Sequence, residues 1–244
     1  MNLIVDIGNT RIKSAIFNHE EIFEVKVHAA FFEFETYLKN QIEILDFSGC
    51  IVAATGNFNA QFQNVMKPFF KKIVVLNGFT NLPFNNLYQT KETQGPDRIA
   101  AIAGAQLQFP GENVLVIDAG TAIKFDFIDK NGEYLGGNIS PGMEMRFKAL
   151  HTFTQKLPLL SSSAQNQLLG TSTPEAIISG VQNGMVFEIE QYIEVLSSNY
   201  DNLRTIITGG DADFFANKLK NTIFVDSNLV LKGLNRILEY NVDS

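Results

Sequence analysis

Apolar residues near the N-terminus fall into runs of strand length. Leu3–Ile7, Ile12–Phe17 and Ile22–Val27 are separated by short polar gaps, and gaps that short predict an antiparallel meander of three strands. The pattern then predicts a helix over 32–45, a strand over Cys50–Ala54, a helix over 59–70 and a strand over Lys72–Leu76. Residues 77–94 hold Gly78, Pro83 and several asparagines, and read as loop.

The pattern restarts at Gly95-Pro96-Asp97-Arg98, which opens an apolar helix running to about Leu107. Strands are predicted over Val114–Asp118, Ile123–Ile128 and Tyr134–Ile139, then helices over 144–154 and 174–196. A strand at Thr205–Thr208, a helix over 211–219, a strand at Ile223–Val225 and a helix from Leu229 complete the chain. Three strands followed by alternating helices and strands therefore occur twice. The two starts also match in detail: Val5-Asp6-Ile7-Gly8-Asn9-Thr10-Arg11-Ile12-Lys13 against Ile117-Asp118-Ala119-Gly120-Thr121-Ala122-Ile123-Lys124, the second one residue shorter. A repeat of this kind implies duplicated α/β halves across a cleft. The expected division is 1–110 and 111–244.

Composition narrows the function. The chain has 244 residues, 45% hydrophobic and 18% charged, with a net charge of −7. That is a globular composition without a disordered tract. No basic face is visible, which argues against nucleic acid as a partner. An anionic substrate has to be captured locally, because an acidic surface does not steer it in from a distance. Cys50, the only cysteine, lies in an apolar run and reads as a small buried group. An acid at position six and the lack of a basic leading segment argue against a signal peptide. No apolar run approaches the roughly 18 residues of a membrane span. A cytoplasmic location is the expectation.

Asp6-Ile7-Gly8-Asn9-Thr10 sits at a strand end and turns into the next strand. It has two readings. One is a hairpin with side-chain-capped turn chemistry. The other is a nest of N–H groups for phosphate, in which Gly8 permits positive φ and close backbone approach. Thr10 then adds a hydroxyl, and Lys13 a point charge. Asp6 beside a phosphate requires a cation, and Mg²⁺ held through water would reconcile the two charges. Asp118-Ala119-Gly120-Thr121 is the same device again, and two such turns could clamp a polyphosphate. Gly95-Pro96-Asp97-Arg98 is either an ordinary helix start or a catalytic one. In the second case Asp97, in the first helical turn, accepts a hydroxyl proton and Arg98 supplies a forked contact. Thr208-Gly209-Gly210, Gly136-Gly137 and Ser140-Pro141-Gly142 are weak signals alone. His19, His28 and His151 have no ligand spacing, and neither a Walker A sequence nor a nucleophile elbow is present.

In this order and spacing the motifs resemble type III pantothenate kinase, within the larger group of actin, Hsp70 and sugar kinases. The likeness spans nearly the whole chain. It includes Asp6–Thr10, Gly95-x-Asp97-Arg98, Asp118-x-Gly120-Thr121, and Gly136-Gly137 through Pro141-Gly142. It continues through Leu157-Pro158, Gly170-x-x-Thr173, Gly180 with Gly184, and Thr208-Gly209-Gly210. The resemblance implies an α/β fold of two actin-like (ribonuclease H-like) halves, each a mixed sheet with helices, with ATP in the cleft between them. It implies ATP-dependent phosphorylation of pantothenate, the first step of coenzyme A synthesis, by a homodimer. Asp6, Ile7, Gly8, Asn9, Thr10, Arg11, Ile12, Lys13 and Thr121 would bind ATP. Asp97 would take the hydroxyl proton. Tyr88, Gly95, Pro96, Asp97, Arg98 and Thr173 would contact pantothenate, with Thr173 near the subunit interface. Asp118 would hold a monovalent cation, K⁺ or NH₄⁺, and Asp6 the Mg²⁺. Two departures stand out. Lys91 occupies a place where the family often has proline, three residues after Tyr88, and Pro96 has no N–H to offer. Two other readings are a kinase of the same architecture with another hydroxyl substrate, and a non-catalytic transcription accessory factor.

Overall fold

The computed structural model describes every residue except 9–10, 55–61, 63–64, 165–166 and 243–244. Much of the helix expected over 59–70 thus lies outside the described residues. The chain divides into two compact units. The first comprises Met1–Pro110, Gly132–Tyr134 and Asn228–Ser244, and the second Gly111–Asn131 and Leu135–Ser227.

The first unit is built on strands β1 (Asn2–Ile7), β2 (Ile12–Asn18), β3 (Glu21–His28), β4 (Gly49–Ala54) and β5 (Ile73–Val75), in the order β3-β2-β1-β4-β5. The first three form the expected antiparallel meander, while β4 and β5 join in parallel. Strand geometry sends alternate side chains to opposite faces. Leu3, Val5, Cys50 and Val52 pack against Phe34 and Leu38 of helix α1 (Phe31–Ile42). Ile4 and Ile51, one step out of phase, are fully buried as well, so both faces of the sheet are covered.

The second cover comes from α2 (Pro96–Gln108) and α6 (Leu229–Val242). These helices cross at glycines. A methyl group on Gly233 would stand 1.7 Å from the Ala100 carbonyl oxygen, and one on Gly104 would stand 2.4 Å from that of Leu229. Only hydrogen fits there, and overpacking a core typically costs about 1–3 kcal/mol. Hydrogen bonds fasten the same helix to the sheet. Asn2 donates to Asn235 at 2.9 Å, and Asn235 donates to the His19 carbonyl at 2.8 Å. The C-terminal helix therefore packs with the first unit, whereas a division at 110/111 would place it in the second half.

The loop expected over 77–94 contains two short elements. Strand β6 (Asn85–Asn86) pairs in parallel with Glu133 and Tyr134, and a 3-10 turn spans Lys91–Thr93.

The second unit repeats the plan. Strands β7 (Val114–Ala119), β8 (Ala122–Ile128), β9 (Glu133–Pro141), β10 (Arg204–Thr208) and β11 (Phe224–Val225) run in the order β9-β8-β7-β10-β11. β7 and β8 are antiparallel, and β10 is parallel to both β7 and β11. The order of these five strands and these senses match the first sheet, with β6 added as a sixth strand beyond β9, which establishes the duplication that the repeat implied. Helices α3 (Met143–Thr152), α4 (Thr173–Asn199) and α5 (Ala212–Ala216) supply Met143, Phe147, Val181, Ile189 and Phe215 to one core with Leu115, Ile117 and Ile207. The helix expected over 211–219 is shorter than the pattern suggests. Among the described residues no helix is long and apolar enough to cross a membrane.

One buried polar pair lies in the first sheet. Ser14 and His28 are 0% and 5% exposed and share a hydrogen bond of 2.8 Å. Phe34 and Tyr37 pack on the imidazole. Burial holds the His28 pKa below its ordinary value of 6.5; nearby Glu33 opposes the shift and Lys26 adds to it. The unfolded chain therefore binds this proton more readily, so the stability His28 contributes is complete above 6.5 and is lost as the pH falls below it. Urea unfolding at about pH 7.5 and about pH 5.5 should show lower stability at the acid pH, and His28→Gln should reduce that difference.

Candidate active site

The first turn joins β1 to β2. Asp6 lies opposite Lys13 in the strand register, and the Gly8 N–H donates to the Arg11 carbonyl at 3.1 Å. Gly8 does not adopt positive φ, and its N–H closes the turn, so the conformational freedom expected of it is not used. Asn9 and Thr10 fall outside the described residues. Ile12 is buried and Arg11 exposed. Lys13 Nζ donates to Asn228 Oδ1 at 3.1 Å, which ties the lysine to the start of α6.

The second turn, between β7 and β8, has the same plan with one residue fewer. The Gly120 N–H donates to the Ala122 carbonyl at 3.2 Å, and Asp118 lies opposite Lys124. Lys124 Nζ stands 2.7 Å from Asp118 Oδ2, with side chains 18% and 17% exposed. Two other glycines wall the turn. Gly209, at φ +96°, would bring a Cβ within 2.4 Å of the Ala119 carbonyl oxygen and 2.7 Å of Asp118 Oδ1. Gly142 would bring one within 2.2 Å of the Gly120 carbonyl oxygen. The Gly142 N–H donates to the Thr121 carbonyl and the Asp211 N–H to that of Ala119. Two of the weak glycine signals of the sequence, Gly142 and Gly209, are thus packing walls of the strong one. Thr121 is exposed at the tip. Burial raises the Asp211 pKa, and the charge of nearby Glu144 raises it further. The turn thus brings together the Asp118 carboxylate, the Lys124 ammonium and the Asp211 backbone, with Glu144 close enough to Asp211 to act on its charge.

The third group lies in the first unit. Pro96 takes the first position of α2, where a missing N–H costs nothing. Asp97 stands in the first turn, and its Oδ1 accepts the Arg98 N–H at 2.9 Å. Gly95 leaves room for it, since a Cβ there would come within 2.6 Å of that same oxygen. Arg98 is 3% exposed. Its Nη1 donates to the Tyr88 hydroxyl at 3.3 Å and its Nη2 to the Tyr134 hydroxyl at 3.0 Å. The guanidinium lies 5.1 Å from the Tyr88 ring centre, and the two tyrosines are stacked. Asn86 fastens the loop that carries Tyr88 and Lys91. Asn86 accepts the Tyr88 N–H at 3.0 Å and donates to Gln94 at 2.7 Å.

Thr173 is exposed at the first position of α4, beside a capping box formed by Ser172 and Glu175. A Cβ on Gly170 would strike the Ala176 backbone at 2.2 Å, so the Gly170-x-x-Thr173 spacing folds the preceding loop onto the helix start.

Sequence reasoning assigned no role to Tyr134 or Lys124. Nothing local marks Tyr134, which is 36 residues from its partner. The Ile-Lys shared by both repeats was the available signal for Lys124.

Two mixed sheets of one strand order, each with a carboxylate–glycine turn after its central strand, define the duplicated actin-like α/β fold found in sugar kinases. A glucokinase from an Antarctic psychrotroph shares it, with a TM-score of 0.55 at 12% identity, covering 98% of this chain and 98% of that one. A Campylobacter jejuni protein classed with the Baf family of transcriptional activators shares it more closely, with a TM-score of 0.64 at 23% identity, covering 99% and 100%. The family model for type III pantothenate kinase matches residues 2–195. The type III pantothenate kinase of Flavobacterium johnsoniae is 44% identical over 100% of both chains. This chain belongs to the type III pantothenate kinase family.

The Arg98 network makes a graded expectation. Hydrogen bonds to charged groups contribute about 1.5–3 kcal/mol, so Tyr134→Phe should lower the unfolding free energy on that scale in a urea titration. Tyr88→Phe, which removes a longer bond from a half-exposed ring, should lower it less.

Proposed function

We infer that this protein transfers the γ-phosphoryl group of ATP to the primary hydroxyl of pantothenate, giving 4'-phosphopantothenate, the first step of coenzyme A synthesis. The observation that carries the reading is family membership along the chain, joined to an intact Asp97 and both carboxylate–glycine turns. The likeness to the Campylobacter jejuni protein is one of fold, and no feature of this chain favours a transcriptional role.

Phosphoryl transfer asks chiefly for positioning and for positive charge at the phosphates. In the proposed arrangement Asp6–Lys13 and Thr121 bind ATP, with Lys13 as a point charge. Asp97 orients the pantothenate hydroxyl and takes its proton. Tyr88, Gly95, Pro96, Arg98 and Thr173 contact pantothenate, Pro96 through its ring and carbonyl because it has no N–H. Held by its tyrosines, Arg98 keeps the wall of this site in one shape.

Mg²⁺ suits the residues present. Among the described residues no cluster of three or more acidic, histidine or cysteine side chains could cage a metal. Mg²⁺ is normally held by one or two carboxylates together with phosphates and water, and Asp6, half-exposed beside the first turn, is such a carboxylate. When bound, the ion would neutralise phosphate charge. The monovalent cation expected at Asp118 fits less well, because that carboxylate already carries the Lys124 ammonium.

A homodimer is part of the proposal. The second unit exposes large apolar side chains on β9, α3, α4 and the loops between them, among them Ile139, Phe153, Leu169 and Phe187. Exposed apolar surface of this kind marks association, and a second copy is the proposed occupant. Sedimentation equilibrium should give twice the chain mass and Phe187→Glu should weaken association; a wild-type monomer would overturn this part.

The direct test is ADP production with ATP, Mg²⁺ and pantothenate. Turnover should require pantothenate, and Asp97→Asn should lower kcat by about 10²–10⁴-fold, the usual scale for a lost general base. An unchanged kcat would remove Asp97 from that role.

A further inference from the structure

We propose that the Lys124 ammonium is the resident cation of the Asp118 turn and stands where the family resemblance places a monovalent ion. This rests on the kinase reading, and it concerns how that site gains its positive charge.

Three observations carry it. The Lys124–Asp118 pair is close, 2.7 Å, and mostly shielded from solvent. Coulomb attraction between such groups is screened less than on an open surface. The pair is also built into the strand register, since Asp118 and Lys124 are direct cross-strand partners on β7 and β8. Asp6 and Lys13 are direct partners at the equivalent place on β1 and β2. The duplicated fold thus sets one lysine opposite the carboxylate of each turn. Finally, the other carboxylate oxygen, Asp118 Oδ1, is backed by Gly209, where an added Cβ would come within 2.7 Å. A K⁺ or NH₄⁺ ion at this carboxylate would have to displace the ammonium or sit beside a like charge, which is repulsive.

The surroundings explain why a fixed charge is useful. Glu144 and Asp211 lie near each other in the same unit, and Asp211 comes directly after the Gly209-Gly210 wall of the turn. Without an internal cation, the Asp118 turn would repel the phosphates it is proposed to bind. Lys124 is a charge-supplying residue, and its ligand class is the polyphosphate of a nucleoside triphosphate.

The experiment compares wild type, Lys124→Met and Lys124→Arg in choline chloride, potassium chloride and ammonium chloride. Wild-type turnover of ATP and pantothenate should be the same in all three salts. Lys124→Met keeps the aliphatic stem and removes the charge. Its turnover in choline should fall by about 10²-fold, the scale for losing one charge-stabilising group, and recover in potassium or ammonium. Lys124→Arg keeps the charge, so whatever its turnover, it should show no dependence on potassium or ammonium. A parallel readout uses no substrate: the melting temperature of Lys124→Met should rise from choline to potassium, and that of wild type should not. Wild-type turnover that needs potassium or ammonium would overturn the proposal, as would a Lys124→Met variant that no cation rescues. If wild type turns over no pantothenate in any salt, the pantothenate reading fails, and the melting comparison alone decides the role of Lys124.

Discussion

A partly buried carboxylate at the end of a strand, beside a tight turn, has to be matched by positive charge or hydrogen bonds. Asp6 and Asp118 both stand in that position. Burial and like charge make an unmatched carboxylate costly, so the rest of each turn is arranged around the match. In both sheets a lysine faces the carboxylate directly across the hairpin. Lys124 lies 2.7 Å from Asp118. Lys13, the lysine facing Asp6, also reaches Asn228, in front of the C-terminal helix. The same hairpin is therefore anchored in two ways, and the difference comes from its neighbours in space: a helix start in the first unit, a glycine wall in the second.

Close backbone packing is the second constraint. The Asp118 turn has Gly142 on one side and Gly209 on another, each at distances where only hydrogen fits. A turn held this way keeps its carbonyls and N–H groups in place without help from side chains, which is how irregular backbone can serve as a rigid binding surface. In the first unit the same device joins α2 to α6 through Gly104 and Gly233. The helix that begins at Pro96 and carries Asp97 and Arg98 is thereby fixed against the helix preceded by Asn228, the partner of Lys13. Close backbone contact at these glycines thus adds to the side-chain packing and hydrogen bonds that position both helices.

Arg98 shows how a charged side chain is held in the interior. Two tyrosine hydroxyls accept its N–H groups, and one ring lies beside the guanidinium. Arginine suits such a place because its donors are fixed in a fork and its charge is spread over a plane. The forked contact expected of Arg98 is proposed for a guanidinium that also donates to two tyrosine hydroxyls of the protein itself.

Periodicity alone determined most of the element order, because each sheet is covered on its faces by short amphipathic segments with clear polar gaps. The duplication was legible too, since Val5–Lys13 and Ile117–Lys124 match through strand, turn and strand. The local pattern could not show anything made by distant chain. The two-residue strand β6 exists because it pairs with Glu133 and Tyr134, and nothing between Asn77 and Gln94 announces that. The C-terminal helix joins the first unit because glycines in two helices far apart in sequence permit contact. Gly8 and Gly120 stand out in the sequence yet do not adopt positive φ, whereas Gly209, a weak signal alone, is the glycine that positive φ and close contact require. Residue types at fixed spacing identify a chemistry because the hairpin that brings them together is local. Tyr134 and the walls of the Asp118 turn were decided by the tertiary structure, because packing brings together groups that no local pattern connects.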